Sequence, residues 1–251
     1  MIVTEKFTGK ADIYSKFRPS YPAEYLDYLI SYNNLTPGAL TADIGSGTGK
    51  LTRQLLERDL KVYAVEPNDH MRAVAEAVLE DFMEYTSMKG TAENTGISDK
   101  SVDLITVAQA FHWFDPEKFK LECKRILKPG ANVALVWNCR DFSSSLVAEN
   151  EGICTKLCPL FNGFRNGFND LPEIDFEFFR GGAYDYREFT CGLEYDMDGF
   201  IGRNLSASYA PRESDDGYDA FVEAVTGLFF KYSVDNKVIV PNITKSYVGQ
   251  V

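Results

Sequence analysis

Residues 41–49 read TADIGSGTG, with Gly45, Gly47 and Gly49 at alternate positions directly behind a run of strand type. Glycine loses more conformational freedom on folding than any other residue, so three so close together need a reason. A glycine-rich turn between a strand and a helix lets a ligand reach backbone that any Cβ would block. The spacing then narrows the ligand. The dinucleotide fingerprint G-x-G-x-x-G rests a pyrophosphate on the helix N-terminus, but Lys50 stands where its third glycine belongs. The phosphate-loop pattern fails as well, because Gly49-Lys50 is followed by Leu51, which has no hydroxyl for magnesium.

The acidic residues around the turn point elsewhere. Asp43, two residues before the first glycine, repels a phosphate and favours a ligand carrying an ammonium or a sulfonium. Glu66, at the end of the next strand-like run, suits the two hydroxyls of a ribose. A nucleoside with a cationic amino-acid tail meets all of these demands. S-adenosyl-L-methionine is such a ligand.

The chain of 251 residues is 45% hydrophobic, 14% aromatic and 25% charged, an ordinary globular composition. Its formal net charge of −11, without a Lys/Arg cluster, argues against nucleic acid as a partner. The start, MIVTEKFTGK, carries no apolar targeting run, and nothing approaches a membrane-spanning stretch. Five scattered cysteines suggest reduced thiols and a cytoplasmic protein. Cys154 and Cys158 lie four apart but lack a second pair or a nearby histidine, so no metal site is expected.

Strand-like and helix-like runs alternate through the first half. ALTADIG (39–45), KVYAVE (61–66), SMKGTA (87–92), SVDLITVAQA (101–110) and ANVALVW (131–137) read as strands. GKLTRQLLERD reads as a helix, as does DPEKFKLECKRILKPG, which Pro129-Gly130 closes. Met71, Val74, Ala75, Val78, Leu79 and Phe82 share one helical face. Near-continuous apolar strands alternating with helices imply a parallel sheet covered on both faces. YDYREFTCGLEY (184–195) and KVIVPNITKSYVGQV add late antiparallel strands, with Pro241 favouring an edge or bulge. Between them, Phe221, Val222, Val225, Leu228, Phe229 and Tyr232 mark another helix. The expectation is one α/β domain, a doubly wound, mainly parallel seven-stranded sheet. Residues 1–37 form an N-terminal lid, 38–140 the ligand-binding core, 141–183 an aromatic cap insertion containing Phe161, Phe164 and Phe168, and 184–251 complete the sheet.

With these motifs in view, the chain resembles the class I S-adenosylmethionine-dependent methyltransferases. DIGSGTG matches their glycine motif, AVEPNDHM their ribose-binding acid followed by a helix, and GTAEN (90–94) their adenine-side segment. FTGKADIYSKFRPSYP and AFHWFD are similar to the small-molecule branch that includes trans-aconitate and malonyl-carrier-protein O-methyltransferases. The resemblance covers residues 7 to about 140 well and the remainder loosely. It implies that Gly45, Ser46, Gly47 and Gly49 admit the methionine part, while Asp43 and neighbouring backbone receive its ammonium. Glu66 and the following Pro67 would lie at the ribose, Met71 on the adenine ring, and Ala92 and Glu93 at the adenine edge. Gln109 would lie beside the sulfonium, and Tyr14 and Arg18 would reach the carboxylate or cover the donor.

The remaining chemistry centres on FHWFD (111–115). His112 is the candidate base, read against a role of positioning the donor, and the second is preferred. Trp113 and Phe114 would wall the acceptor pocket, with Trp113 touching adenine, or else belong to the ordinary core. Gln109-Ala110-Phe111-His112 stands where amino-methylating nucleic-acid enzymes carry Asp/Asn-Pro-Pro-aromatic. The resulting expectation is a metal-independent enzyme that methylates a small molecule, a carboxylic acid or carrier-bound acyl group. The rivals are an N- or C-methyltransferase of a small metabolite, a non-catalytic S-adenosylmethionine-binding protein, and an NAD-binding oxidoreductase. Lys50 and Asp43 count against the last.

Overall fold

The computed structural model describes residues 20–164 and 177–251. Its centre is one seven-stranded sheet of order β3-β2-β1-β4-β5-β7-β6. The strands are β1 (Leu40–Ile44), β2 (Lys61–Val65), β3 (Tyr85–Met88), β4 (Val102–Ala108), β5 (Leu127–Arg140), β6 (Asp185–Tyr195) and β7 (Val238–Gly249). Strands β1 to β5 pair in parallel, and β7 lies antiparallel to both β5 and β6. The helices are α1 (Ala23–Tyr32), α2 (Lys50–Leu56), α3 (Asp69–Leu79), α4 (Pro116–Ile126), α5 (Ser145–Leu157), α6 (Met197–Leu205) and α7 (Tyr218–Tyr232). Strand order reverses between β1 and β4, and the carboxyl ends of these two strands open the crevice where doubly wound sheets take their ligands.

Strand alternation sorts the core. Ala42, Ile44, Val133, Leu135 and Trp137 face one side, where Phe119, Cys123 and Ile126 of α4 cover them. Leu104, Ala134 and Val136 face the other, under Leu51 and Leu55 of α2 and Tyr25, Leu26 and Leu29 of α1. A third cluster joins α5, α6 and α7 through Leu146, Cys154, Phe200, Phe221 and Phe229. Among the described residues no helix is long and apolar enough to cross a membrane, and no group of three or more His, Cys, Asp or Glu is placed to hold a metal.

Several expectations change at the level of elements. The span read as a lid, 1–37, includes α1, whose Tyr25, Leu26 and Leu29 are fully buried; this helix belongs to the core. The segment read as an aromatic cap begins with a regular helix, α5, and that helix packs with α6 and α7. On α3 the buried stripe narrows to Met71, Ala75 and Leu79, while Val78 is exposed. Strand β3 ends at Met88, before Gly90, where a Cβ would meet the Asn94 and Thr95 carbonyls at 3.0 Å. Strand β5 begins at Leu127 and so takes in Pro129-Gly130. The late strands form a pair with β6 outermost, so β7 is internal. It still accommodates Pro241, because β5 pairs no further than Arg140 with Asn242. At Pro241 only β6 remains as a ladder neighbour, through Gly192.

Candidate active site at the carboxyl end of the sheet

The TADIGSGTG turn leaves β1 and starts α2 with all three glycines at positive φ: +69° at Gly45, +58° at Gly47 and +79° at Gly49. Their backbones are alike, but their surroundings differ. A Cβ on Gly45 would fall 2.7 Å from the Ala110 Cβ and 3.2 Å from the Phe114 ring. One on Gly49 would fall 2.7 Å from Leu79 Cδ1 and 3.3 Å from the Ala75 Cβ. One on Gly47 meets only Met71 Sδ, at an ordinary 3.6 Å. Gly45 therefore seats the β4–α4 loop and Gly49 seats α3. Among the described residues, Gly47 alone of the three borders open space, with Met71 beside it. Gly45 and Gly49 are thus required by the protein's own packing as well as being candidates for the methionine part.

Asp43 is held by the protein's own hydroxyls. It points to the α2 face of the sheet and is fully buried. Thr52 Oγ1 donates to one of its oxygens at 2.6 Å and Thr106 Oγ1 to the other at 2.9 Å. Register sets Thr106 directly beside it on β4. Burial pushes its carboxyl up to about 6, although both threonine bonds act in the opposite direction. Asp43 thus ties β4 and the first turn of α2 to the glycine turn. Ser46 and Gly45 donate their backbone N–H groups to the Val65 carbonyl, which holds the turn against β2.

Glu66 lies at the crevice wall, mostly buried. Its Oε2 accepts the Gly47 N–H at 2.9 Å and its Oε1 the Asn68 N–H at 2.8 Å. The carboxylate therefore joins the glycine turn to the entrance of α3, which Asn68 caps by accepting from the N–H groups of His70 and Met71. Each carboxylate oxygen retains acceptor capacity beyond these bonds, as a diol ligand requires. Burial raises its pKa, offset in part by the two backbone bonds. Pro67 is half-buried between Glu66 and Asn68.

On the other side of the crevice, β4 is followed by Gln109, a non-glycine residue at φ +61°. Such a conformation persists only where its surroundings over-determine it. Its N–H donates to the Val136 carbonyl at 3.0 Å and its side-chain amide to the Asn138 carbonyl at 3.4 Å. Phe111–Trp113 then form one 3₁₀ turn. Phe111 is anchored edge-on to Phe178, 4.8 Å away, while His112 and Trp113 are exposed, with ring centroids 4.5 Å apart. Desolvation by the surrounding side chains pulls the His112 pKa down to about 4. Ala92 is buried, and the Glu93 carboxylate accepts the Asp115 N–H at 3.0 Å, which holds GTAEN against FHWFD. Tyr14, Arg18 and Phe168 lie outside the described residues.

The fold and this crevice define a class: the Rossmann-like, seven-stranded architecture of class I methyltransferases, with the late antiparallel pair at one edge. The methyltransferase domain model matches residues 42–135, the part containing the crevice. An uncharacterised methyltransferase of Schizosaccharomyces pombe is 32% identical over 180 residues, which are 66% of this chain and 70% of that protein. One from Mycobacterium tuberculosis is 43% identical over 145 residues, 57% of this chain and 56% of that protein. This chain therefore spans about half the length of the mycobacterial relative. A solved structure from Anaeromyxobacter dehalogenans, described as a candidate type II methyltransferase, has the same fold, with TM-score 0.67 and 22% identity over 93% of this chain and 98% of that one. The chain belongs to the methyltransferase family.

Proposed function

We propose that this chain transfers a methyl group from S-adenosyl-L-methionine to a small-molecule acceptor, a carboxylic acid or a carrier-bound acyl group, and releases S-adenosyl-L-homocysteine. The observation that carries the reading is the space that the described residues leave open beside Gly47, with Met71 next to it and the Glu66 carboxylate bonded to the Gly47 N–H. Gly47 admits the methionine part, Glu66 accepts the ribose hydroxyls, and Met71, Ala92, Glu93 and Trp113 border the adenine. Asp43 acts at one remove, holding the turn through Thr52. Gln109, just after β4, faces the sulfonium.

When bound, the donor supplies an already activated methyl carbon. What remains for the protein is to align the acceptor and exclude water. A carboxylate acceptor needs no deprotonation, and His112 fits that chemistry. With its pKa pulled down to about 4, it is neutral at pH 7 and a weak proton acceptor, because an effective general base has a pKa near the working pH. His112, exposed beside Trp113 at the crevice, is accordingly read as a positioning group for donor or acceptor. The test is S-adenosylhomocysteine release during incubation with small organic acids and acyl carrier conjugates. Release with an acid and none with its amide supports the acyl reading. Release only with amines transfers the assignment to N-methylation.

A further inference from the structure

Strand β5 runs past its neighbour. Its last residue paired with β4 is Val136, opposite Ala108, and Arg140 lies four residues further on, roughly 13 Å at ~3.3 Å per residue. Alternation puts Val136, Asn138 and Arg140 on one face. The antiparallel register sets Ser246, Thr244 and Asn242 of β7 beside them on that face. Thr244 Oγ1 donating to Asn138 Oδ1 confirms the arrangement.

Arg140 and Asn242 are an unusual pair in this position. The Arg140 guanidinium lies flat on the Phe164 ring, 3.6 Å from its centroid, and has no ion pair or hydrogen bond among the described residues. The neighbouring acids are otherwise engaged: Asp141 accepts from Ser143, and Glu151 accepts the Phe164 N–H. Asn242 is only 3% exposed, and its Nδ2 is buried without a hydrogen-bond partner. A buried amide donor left unpaired is costly, and the cost is recovered when an acceptor arrives. Two donors without an acceptor among the described residues are thus register partners where β5 runs beyond the carboxyl end of β4.

We infer that Arg140 and Asn242 form an anion subsite. It takes a carboxylate or phosphate of the acceptor at the end remote from the atom that is methylated. Guanidinium and amide together offer the fork of N–H donors that an oxyanion requires, and the Phe164 face fixes the plane of the fork. The acceptor class is thereby narrowed to small acids with a second anionic group about one strand extension from the reacting one. This inference rests on the methyl-transfer reading above, and the experiment separates the two.

The full chain, loaded with S-adenosylhomocysteine, is titrated calorimetrically with malonate, with inorganic phosphate and with dimethyl malonate. Malonate or phosphate should bind the wild type and dimethyl malonate should not; which of the two anions binds tighter identifies the oxyanion. Arg140→Gln should weaken that binding at least tenfold, and Arg140→Lys by an intermediate factor. Asn242→Leu removes the unpaired donor at similar size, so it should weaken anion binding while the melting temperature holds or rises. S-adenosylhomocysteine affinity should stay unchanged in all three. Equal anion affinity in wild type and Arg140→Gln overturns the inference, and a lowered melting temperature alone would make Arg140 a clip for Phe164. A chain that binds S-adenosylhomocysteine but neither anion overturns this inference alone. A chain that fails to bind S-adenosylhomocysteine overturns the donor reading and this one with it.

Discussion

Alanine placed singly at Gly45, Gly47 and Gly49 should separate three roles that the sequence presents as one. All three positions have positive φ, and an L-residue there costs roughly 1–2 kcal/mol relative to glycine. At Gly45 and Gly49 the new methyl also meets side chains at 2.7 Å, an overpacking that typically adds ~1–3 kcal/mol. Those two variants should lose about 2–5 kcal/mol of stability by urea denaturation. At Gly47 the methyl finds only Met71 Sδ at 3.6 Å, so its loss should stay at about 1–2 kcal/mol. Binding should follow the opposite order. The Gly47 methyl occupies the donor's space, and a similar steric cost of ~1–3 kcal/mol weakens S-adenosylhomocysteine roughly 5- to 150-fold. Where the Gly49 variant remains folded, its affinity should change much less, because its methyl points at Leu79. Equal stability losses at all three positions, with unchanged affinity at Gly47, would refute the division of roles.

Three further outcomes follow from the same geometry. Glu66→Ala should weaken donor binding about ten- to a hundredfold, since charge-assisted hydrogen bonds contribute roughly 1.5–3 kcal/mol each; it should also lower the melting temperature, because Glu66 accepts the N–H groups of Gly47 and Asn68, and a drop in either quantity without the other would contradict this double role. His112→Ala should weaken donor or acceptor binding and leave the shape of the pH–rate profile intact between pH 6 and 8, because a group with a pKa of about 4 stays neutral throughout; loss of an ionisation near neutrality would make His112 a base. For Asp43, the folded-state pKa of about 6 exceeds the ordinary 3.8, so the folded chain holds this proton more tightly than the unfolded one. Stability relative to Asp43→Asn should therefore be greatest below about pH 4, fall as the pH rises to about 6, and level off above, by roughly 3 kcal/mol in total for a shift of about two units; a flat difference across urea titrations in that range would contradict it.

The sheet was legible because its strands carry their own signals. Runs such as Ala131–Trp137 are nearly all apolar, and buried parallel strands require that. The glycine turn was legible because three glycines in five residues behind a strand-like run announce a tight, positive-φ turn, as the structure has it. What the sequence concealed is of two kinds. Helices α1 and α6 each have an apolar face but are short, with three tyrosines in α1 and two glycines in α6. Tertiary packing on the sheet and on α7 decides them. The second kind is direction. Nothing in TADIGSGTG tells whether Asp43 faces the crevice or α2. That depends on the register that sets Thr106 beside it and on the turn that brings Thr52 above it. Arg140 and Asn242 were invisible for the same reason, being about a hundred residues apart in sequence and adjacent only through the β5–β7 register.

The central claim is that the space bounded by Gly47, Met71 and Glu66 holds S-adenosylmethionine. Calorimetric titration of the wild-type chain with S-adenosylhomocysteine, followed by the same titration with NAD, tests it most directly. The account predicts saturable one-to-one binding of S-adenosylhomocysteine and no heat of binding with NAD. Saturable binding of NAD, or no binding of S-adenosylhomocysteine by a chain that still unfolds cooperatively, would contradict it.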